Sequence, residues 1–189
     1  MIVWIDLETT GLNPRKDSLL EVAVLVTDDE LNRLGSYEAV IATPKRKLKR
    51  LDDYVRSMHS KSGLLDDLPT STITLSQAEA EITALLDDLG CVEKVILGGN
   101  SVHFDRGFLD VTMPNLMKRF SHQHLDVSAI GLVVKRWHKE VYDLLRKERG
   151  EVEHRAKDDI NACVATLRRY RELVFADESK AYLVETGNN

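Results

Sequence analysis

Ile2-Val3-Trp4-Ile5-Asp6-Leu7-Glu8 stands at the start of the chain. Branched and aromatic residues at 2–5 mark a strand. Side chains two apart on a strand share a face, so Asp6 and Glu8 project together. Adjacent carboxylates repel, and the apolar neighbours Trp4, Ile5 and Leu7 make an unpaired charge costly there. The pair therefore calls for a cation or a proton, and hard oxygen ligands suit Mg²⁺ or Mn²⁺. Taken alone, Asp-x-Glu also fits an exposed strand face.

Outward from this strand, Gly11-Leu12-Asn13-Pro14 is a turn. Leu20 to Val26 and Gly35 to Ile41 read as two more strands, and the short connections predict an antiparallel meander. Ser76 followed by Glu79 predicts a capping box. Behind it Ala78, Ile82, Leu85, Leu86 and Leu89 recur at helical spacing until Gly90. Val95-Ile96-Leu97 is a short buried strand ending at Gly98-Gly99, and a helix runs from His103 to Val111 before Pro114. Leu125-Asp126-Val127 reads as a strand, with Ser128 capping a helix towards Trp137. The last helix begins near Asp158, with Ile160, Cys163, Val164, Leu167, Tyr170 and Val174 as its apolar stripe. Strands first, then helix and strand in alternation, predict an α/β protein with a mixed sheet covered by helices. No repeat or linker divides the chain. A single domain over 1–175 is expected, with 176–189 as a frayed tail ending in Gly-Asn-Asn.

Composition narrows the function. The chain has 189 residues, 26 Lys+Arg against 31 Asp+Glu, and a formal charge of −5. Its 43% hydrophobic content is too high for a disordered chain. The acidic total excludes a protein that coats long nucleic acid by charge, but not one that meets phosphate through a metal. Cys91 and Cys163 are too few for a disulfide scaffold or a four-thiolate zinc site. With no membrane-length apolar run and no signal-peptide pattern, a cytoplasmic protein without membrane association is expected.

Two further clusters carry chemistry. Asp105 follows the strand at 95–97 after Gly98-Gly99-Asn100-Ser101, near a strand end where α/β sheets collect ligands. It also reads as a first-turn helix acid. His154 and Asp159 flank the start of the last helix. Five apart, they share no helical face, but they converge if His154 sits in the preceding loop. Each reads equally as an ordinary loop or helix-end residue.

In combination the motifs resemble the DEDDh branch of the DEDD 3′→5′ exonucleases, and within it the oligoribonucleases. The matching segments are Trp4-Ile5-Asp6-Leu7-Glu8-Thr9-Thr10-Gly11-Leu12, Gly99-Asn100-Ser101-Val102-His103-Phe104-Asp105-Arg106-Gly107-Phe108-Leu109 and His154-Arg155-Ala156-Lys157-Asp158-Asp159-Ile160. Met58-His59-Ser60-Lys61-Ser62-Gly63-Leu64, Leu125-Asp126-Val127-Ser128 and Arg136-Trp137 add to them, and matches span residue 4 to about residue 171. The resemblance implies an RNase H-like fold: a mixed five-stranded sheet, three antiparallel strands then parallel additions, flanked by helices. It implies that Asp6, Glu8, Asp105 and Asp159 bind two divalent ions, Mg²⁺ or Mn²⁺, and that His154 is the general base. It further implies a 3′→5′ exoribonuclease that cuts short single-stranded RNA, down to dinucleotides, to nucleoside 5′-monophosphates as a homodimer, with no organic cofactor.

The same resemblance makes Leu12 a wedge against a base, and His59, Ser101 and Ser128 polar contacts to substrate. It places residues of the partner subunit over the substrate's 5′ side. There this sequence departs from the family's Tyr-Arg-Tyr, reading His122-Gln123-His124. Gln123 lacks arginine's charge and fork, and His122 stacks with less area than tyrosine. The expectation is weaker discrimination for 5′-phosphorylated dinucleotides. The run Lys45-Arg46-Lys47-Leu48-Lys49-Arg50, with five cations in six residues, reads as a solvated loop or as a steering patch for RNA. A DNA-directed proofreading or repair exonuclease, and an inactive RNA-binding exonuclease fold, are the competing functions.

Overall fold

A computed structural model of the chain describes residues 1–91, 94–149 and 154–175. The expected tail at 176–189 lies outside the described residues. In chain order the elements are β1 (Ile2–Thr9), β2 (Leu19–Thr27), β3 (Arg33–Val40), α1 (Lys45–Leu48), α2 (Asp53–Lys61), α3 (Leu64–Asp67), α4 (Leu75–Asp88), β4 (Val95–Gly99), α5 (His103–Thr112), α6 (Pro114–Met117), β5 (Phe120–Asp126), α7 (Val127–Trp137), α8 (Lys139–Arg149) and α9 (Ala156–Leu173). The five strands form one sheet in the order β3-β2-β1-β4-β5. β1, β2 and β3 pair antiparallel, whereas β4 and β5 add in parallel.

The alternation along β1 sets the two faces. Val3, Ile5 and Leu7 pack with Ile82 and Leu86 of α4 and with Phe108 and Leu109 of α5. Ile2 and Trp4 point the other way, among Val127 and Val134 of α7 and Ile160, Cys163 and Val164 of α9. Asp6 and Glu8 share the parity of Trp4, so the strand pleat delivers them to the face that α9 covers. Trp4 fixes this register. Its indole Nε1 donates to Thr27 Oγ1 at 3.0 Å in the interior. Its ring lies so close to Gly98 that a Cβ there would meet Trp4 Cε3 at 2.6 Å. Gly98→Ala is therefore expected to destabilise the protein by about 1–3 kcal/mol through overpacking. Urea denaturation at constant m-value checks it, and an unchanged midpoint would refute it.

Several local details differ from the sequence reading. The α4 capping box is Thr74 with Gln77, not Ser76 with Glu79. Glu79 is used elsewhere: its Oε1 accepts the N–H groups of Asn115 and Leu116 at 2.7 and 3.0 Å, capping α6. Asp126, not Ser128, caps α7, its side chain accepting from Ser128 N and Ala129 N. α9 starts at Ala156, and β5 extends back to Phe120. α2 and α8 were not anticipated. The basic run forms the short helix α1 and its flank, with all five cations exposed.

Candidate active site

The site lies at the C-terminal end of β1, where its parallel partner stops short. The β1–β4 ladder ends at Trp4↔Gly98. Beyond it, the Asp105 carboxylate enters from the first turn of α5, near the Leu7 backbone. Asp105 is only 4% exposed and Glu8 only 7%. Glu8, His154 and Asp159 each offer a ligand atom, and these atoms lie within 4.8 Å of one another. His154 stands in the loop before α9 at φ +52°, while Asp159 sits in the first turn of that helix. The loop places the imidazole beside a carboxylate five residues on, as no regular helix could.

The electrostatics of this cluster follow from burial. Burial first, then the charges of Asp105, Glu8, Asp159 and Glu21, hold the Asp6 carboxyl well above the usual range. Glu8 is pushed up to about 8 by burial and by Asp159, Glu21 and Asp105, with Arg155 opposing. Asp105 is pushed up to about 7 by burial, against the backbone N–H bonds it receives. Without a cation Glu8 keeps its proton at neutral pH and Asp105 is near its midpoint. Buried hard oxygen donors beside an imidazole, short of positive charge, are what a divalent ion requires, so the residues present fit such a group.

His59 has no exposed surface. Its Nε2–H donates to the Thr9 carbonyl at 2.9 Å. Burial lowers its pKa. Its Nδ1 faces Glu8 Oε2 at 3.8 Å without a hydrogen-bond partner. Leu12 is 80% exposed on the β1–β2 loop. That loop is tied by Thr10 N to Ser18 O at 2.9 Å and Asn13 N to Asp17 Oδ2 at 2.9 Å. Ser101, at φ +49°, donates from Oγ to Ser128 Oγ at 3.3 Å. Asp126 Oδ1 gathers the N–H groups of both serines at 2.9 Å each. His122 and Gln123 are not brought to the acids within one chain. Leu97 pairs with His124 and Val95 with Phe120, so β5 carries two extra residues there and bulges. His122 and Gln123 sit near the level of Ile96 and hence of Ile2, roughly 13 Å along β1 from Asp6 and two strands over.

Two functional contacts are not apparent from sequence. Glu21, in the otherwise apolar β2, accepts from Arg155 Nε and Nη2 at 3.0 and 2.7 Å. A lone acid in an apolar strand is itself the signal of a buried partner. Asp126, in a strand and in a matching segment but without an expected role, is what holds both serines.

Comparisons with known proteins give the family. The family model described as Exonuclease matches residues 3–167. The mitochondrial oligoribonuclease of Homo sapiens is 38% identical, covering 100% of this chain and 80% of that protein. The oligoribonuclease of Streptomyces coelicolor is 43% identical over 94% of this chain and 88% of that protein. Among solved structures, the metal-free E. coli ExoI–ssDNA complex is 16% identical with a TM-score of 0.67, covering 97% of this chain and 42% of that chain. Exonuclease I from Methylocaldum szegediense is 18% identical with a TM-score of 0.61, covering 99% of this chain and 43% of that chain. This chain thus spans about two fifths of those exonuclease I chains, and the likeness shows the RNase H-like fold. Model and relatives together place the chain in the oligoribonuclease family of the DEDD exonucleases, a family of metal-dependent 3′→5′ exoribonucleases.

Proposed function

We propose that the protein hydrolyses short single-stranded RNA from the 3′ end, down to dinucleotides, and releases nucleoside 5′-monophosphates. The observation that carries this is the convergence of Glu8, His154 and Asp159 within 4.8 Å, beside the buried carboxyls of Asp6 and Asp105. Asp6, Glu8, Asp105 and Asp159 would hold two divalent cations, Mg²⁺ or Mn²⁺. When bound, such ions offset the carboxylates and the charge that builds on the phosphoryl oxygens. His154 accepts the proton of the attacking water, which its loop position permits. Leu12 wedges against a base. The paired hydroxyls of Ser101 and Ser128 meet phosphate. His59, expected as a polar contact to substrate, is fully buried and acts instead through its neighbours Glu8 and Thr9.

We place this activity in a single domain over 1–175 and in a homodimer. Two features support the dimer. The segment His122-Gln123, which the resemblance assigns to the partner's site, lies away from its own chain's acids. Leu132, Val133 and Trp137 of α7 are exposed, Trp137 by 75%. We also place the protein in the cytoplasm, in keeping with its two free buried cysteines; no described helix is long and apolar enough to cross a membrane.

A time course on RNAs of two to ten nucleotides with Mn²⁺ tests the reading. The expected result is metal-dependent shortening from the 3′ end with mononucleotide release, and faster cleavage of RNA than of matched DNA. No release of mononucleotides would refute it, and equal or faster DNA cleavage would favour the DNA-directed reading. Because Gln123 carries no charge, the preference for 5′-phosphorylated dinucleotides over five- to ten-mers is expected to stay below about a hundredfold. A larger preference would show that His122-Gln123 costs the cap nothing.

A further inference from the structure

We propose that Arg155 is a positioning residue, clasped between Glu21 and Asp67, that holds His154 and Asp159 in register with Glu8; this rests on the exonuclease reading above. The clasp spans three separate pieces of chain. Arg155 Nε lies 3.0 Å and Nη2 2.7 Å from Glu21 Oε1 on β2. Its Nη1 donates to Asp67 Oδ2 at 2.8 Å and to the Ser62 carbonyl at 3.4 Å. Ser62 is the C-cap of α2, the helix that carries His59, and Asp67 is the last residue of α3. A fork with several donors in one plane can hold both sides at once, which a lysine ammonium cannot do with the same geometry.

Three observations tie this clasp to the site rather than to general stability. Glu21 stands directly opposite Glu8 in the β1–β2 register. Opposed side chains share a face, and two acids so placed repel. Arg155 satisfies Glu21 and leaves Glu8 to face His154 and Asp159. The start of α9 is the second. Arg155 is its N-cap and has no side-chain cap of its own. Glu21 Oε2 supplies one from another strand, accepting the Ala156 N–H at 3.0 Å. The Arg155 carbonyl in turn accepts the Asp159 N–H at 3.0 Å, so the clasp sets where Asp159 begins its turn. The third is His154 itself, at φ +52°. A residue with a Cβ stays in that conformation only when its surroundings fix it, and its immediate neighbour is the clasped arginine.

Arg155→Lys keeps the charge and removes the fork. On dinucleotide RNA with Mn²⁺, kcat is expected to fall about 10–100-fold while KM stays within about twofold. Mn²⁺ affinity of the metal-free protein, read by calorimetry, falls by at least about fivefold, while the circular dichroism spectrum is unchanged. Glu21→Gln lowers kcat in the same way, and adding it to Arg155→Lys costs little more, because both break one contact. Should Arg155→Lys fail to fold, Asp67→Asn at the exposed end of the clasp serves, with an expected fall in kcat of about threefold or more at constant KM. A kcat within twofold of wild type, or a loss confined to KM, overturns the positioning role. Wild-type protein without metal-dependent activity would instead overturn the exonuclease reading, so the two failures are distinct.

Discussion

Asp159→Ala is expected to leave a folded protein that releases mononucleotides from short RNA at least about a thousandfold more slowly, and His154→Ala to lose about a hundred- to ten-thousandfold. The two side chains are cheap to remove structurally. Both are part-exposed, and neither belongs to the apolar clusters that close the two faces of the sheet. Alanine at 159 even improves helix propensity, while the lost first-turn acid costs α9 roughly 0.3–1 kcal/mol. Chemically they are expensive. Asp159 is the one proposed ligand carried by α9, so its loss breaks the only bridge from that helix to Glu8 in the ligand set. His154 is the one imidazole whose ring nitrogen joins Glu8 and Asp159 within 4.8 Å; His59 is fully buried and donates its Nε2–H to a carbonyl. Among the described residues no second imidazole stands ready. Initial rates with Mn²⁺, run beside thermal melts, decide the matter. A variant that melts like wild type and still turns over at a near-normal rate would remove its residue from the mechanism.

The sheet was legible in sequence because each strand obeys a short-range rule. The strand formers of β1 and the apolar run of β2, broken at Glu21, needed no knowledge of the rest of the chain. The five proposed site residues were legible only jointly, through their resemblance to a family. Each alone is an ordinary strand or helix-end residue. What stayed hidden depends on partners far along the chain. Arg155 and Glu21 are 134 positions apart, and no periodicity links them. Thr74-Gln77 and Ser76-Glu79 are overlapping capping patterns, and the choice between them fell to α6, whose N–H groups take Glu79. α2 buries only His59, so its existence follows from packing, whereas α8 has a short stripe, Val141, Tyr142 and Leu145, within a strongly charged segment that masks it. The bulge at His122-Gln123 is likewise set by how β5 meets β4, which a linear reading of three polar residues does not contain.

The acids also predict how the protein should respond to pH before any metal is added. Glu8 is pushed up to about 8 and Asp105 to about 7 in the folded chain, while both ionise near pH 4 when unfolded. Between those limits the native state keeps protons that the unfolded state has released. Stability therefore falls as pH rises from about 4.5 to about 8, and levels off above. Below about 4 both states are protonated and nothing is lost. Shifts of this size amount to a few kcal/mol, or roughly 5–15 °C in melting temperature for a domain of this length. Metal-free wild type is thus expected to melt markedly lower at pH 8 than at pH 5.5, and Mn²⁺ at pH 8 to recover most of the difference. Glu8→Gln and Asp105→Asn keep the shape and an acceptor oxygen but cannot ionise. Each should flatten the pH dependence, raise the metal-free melting temperature at pH 8 and blunt the response to Mn²⁺, while abolishing turnover. Stabilisation by a change that destroys activity is the signature of carboxylates crowded together for a cation. If wild type melts alike at both pH values, or the variants show the same decline, the buried acids are not the electrostatic burden that their burial implies.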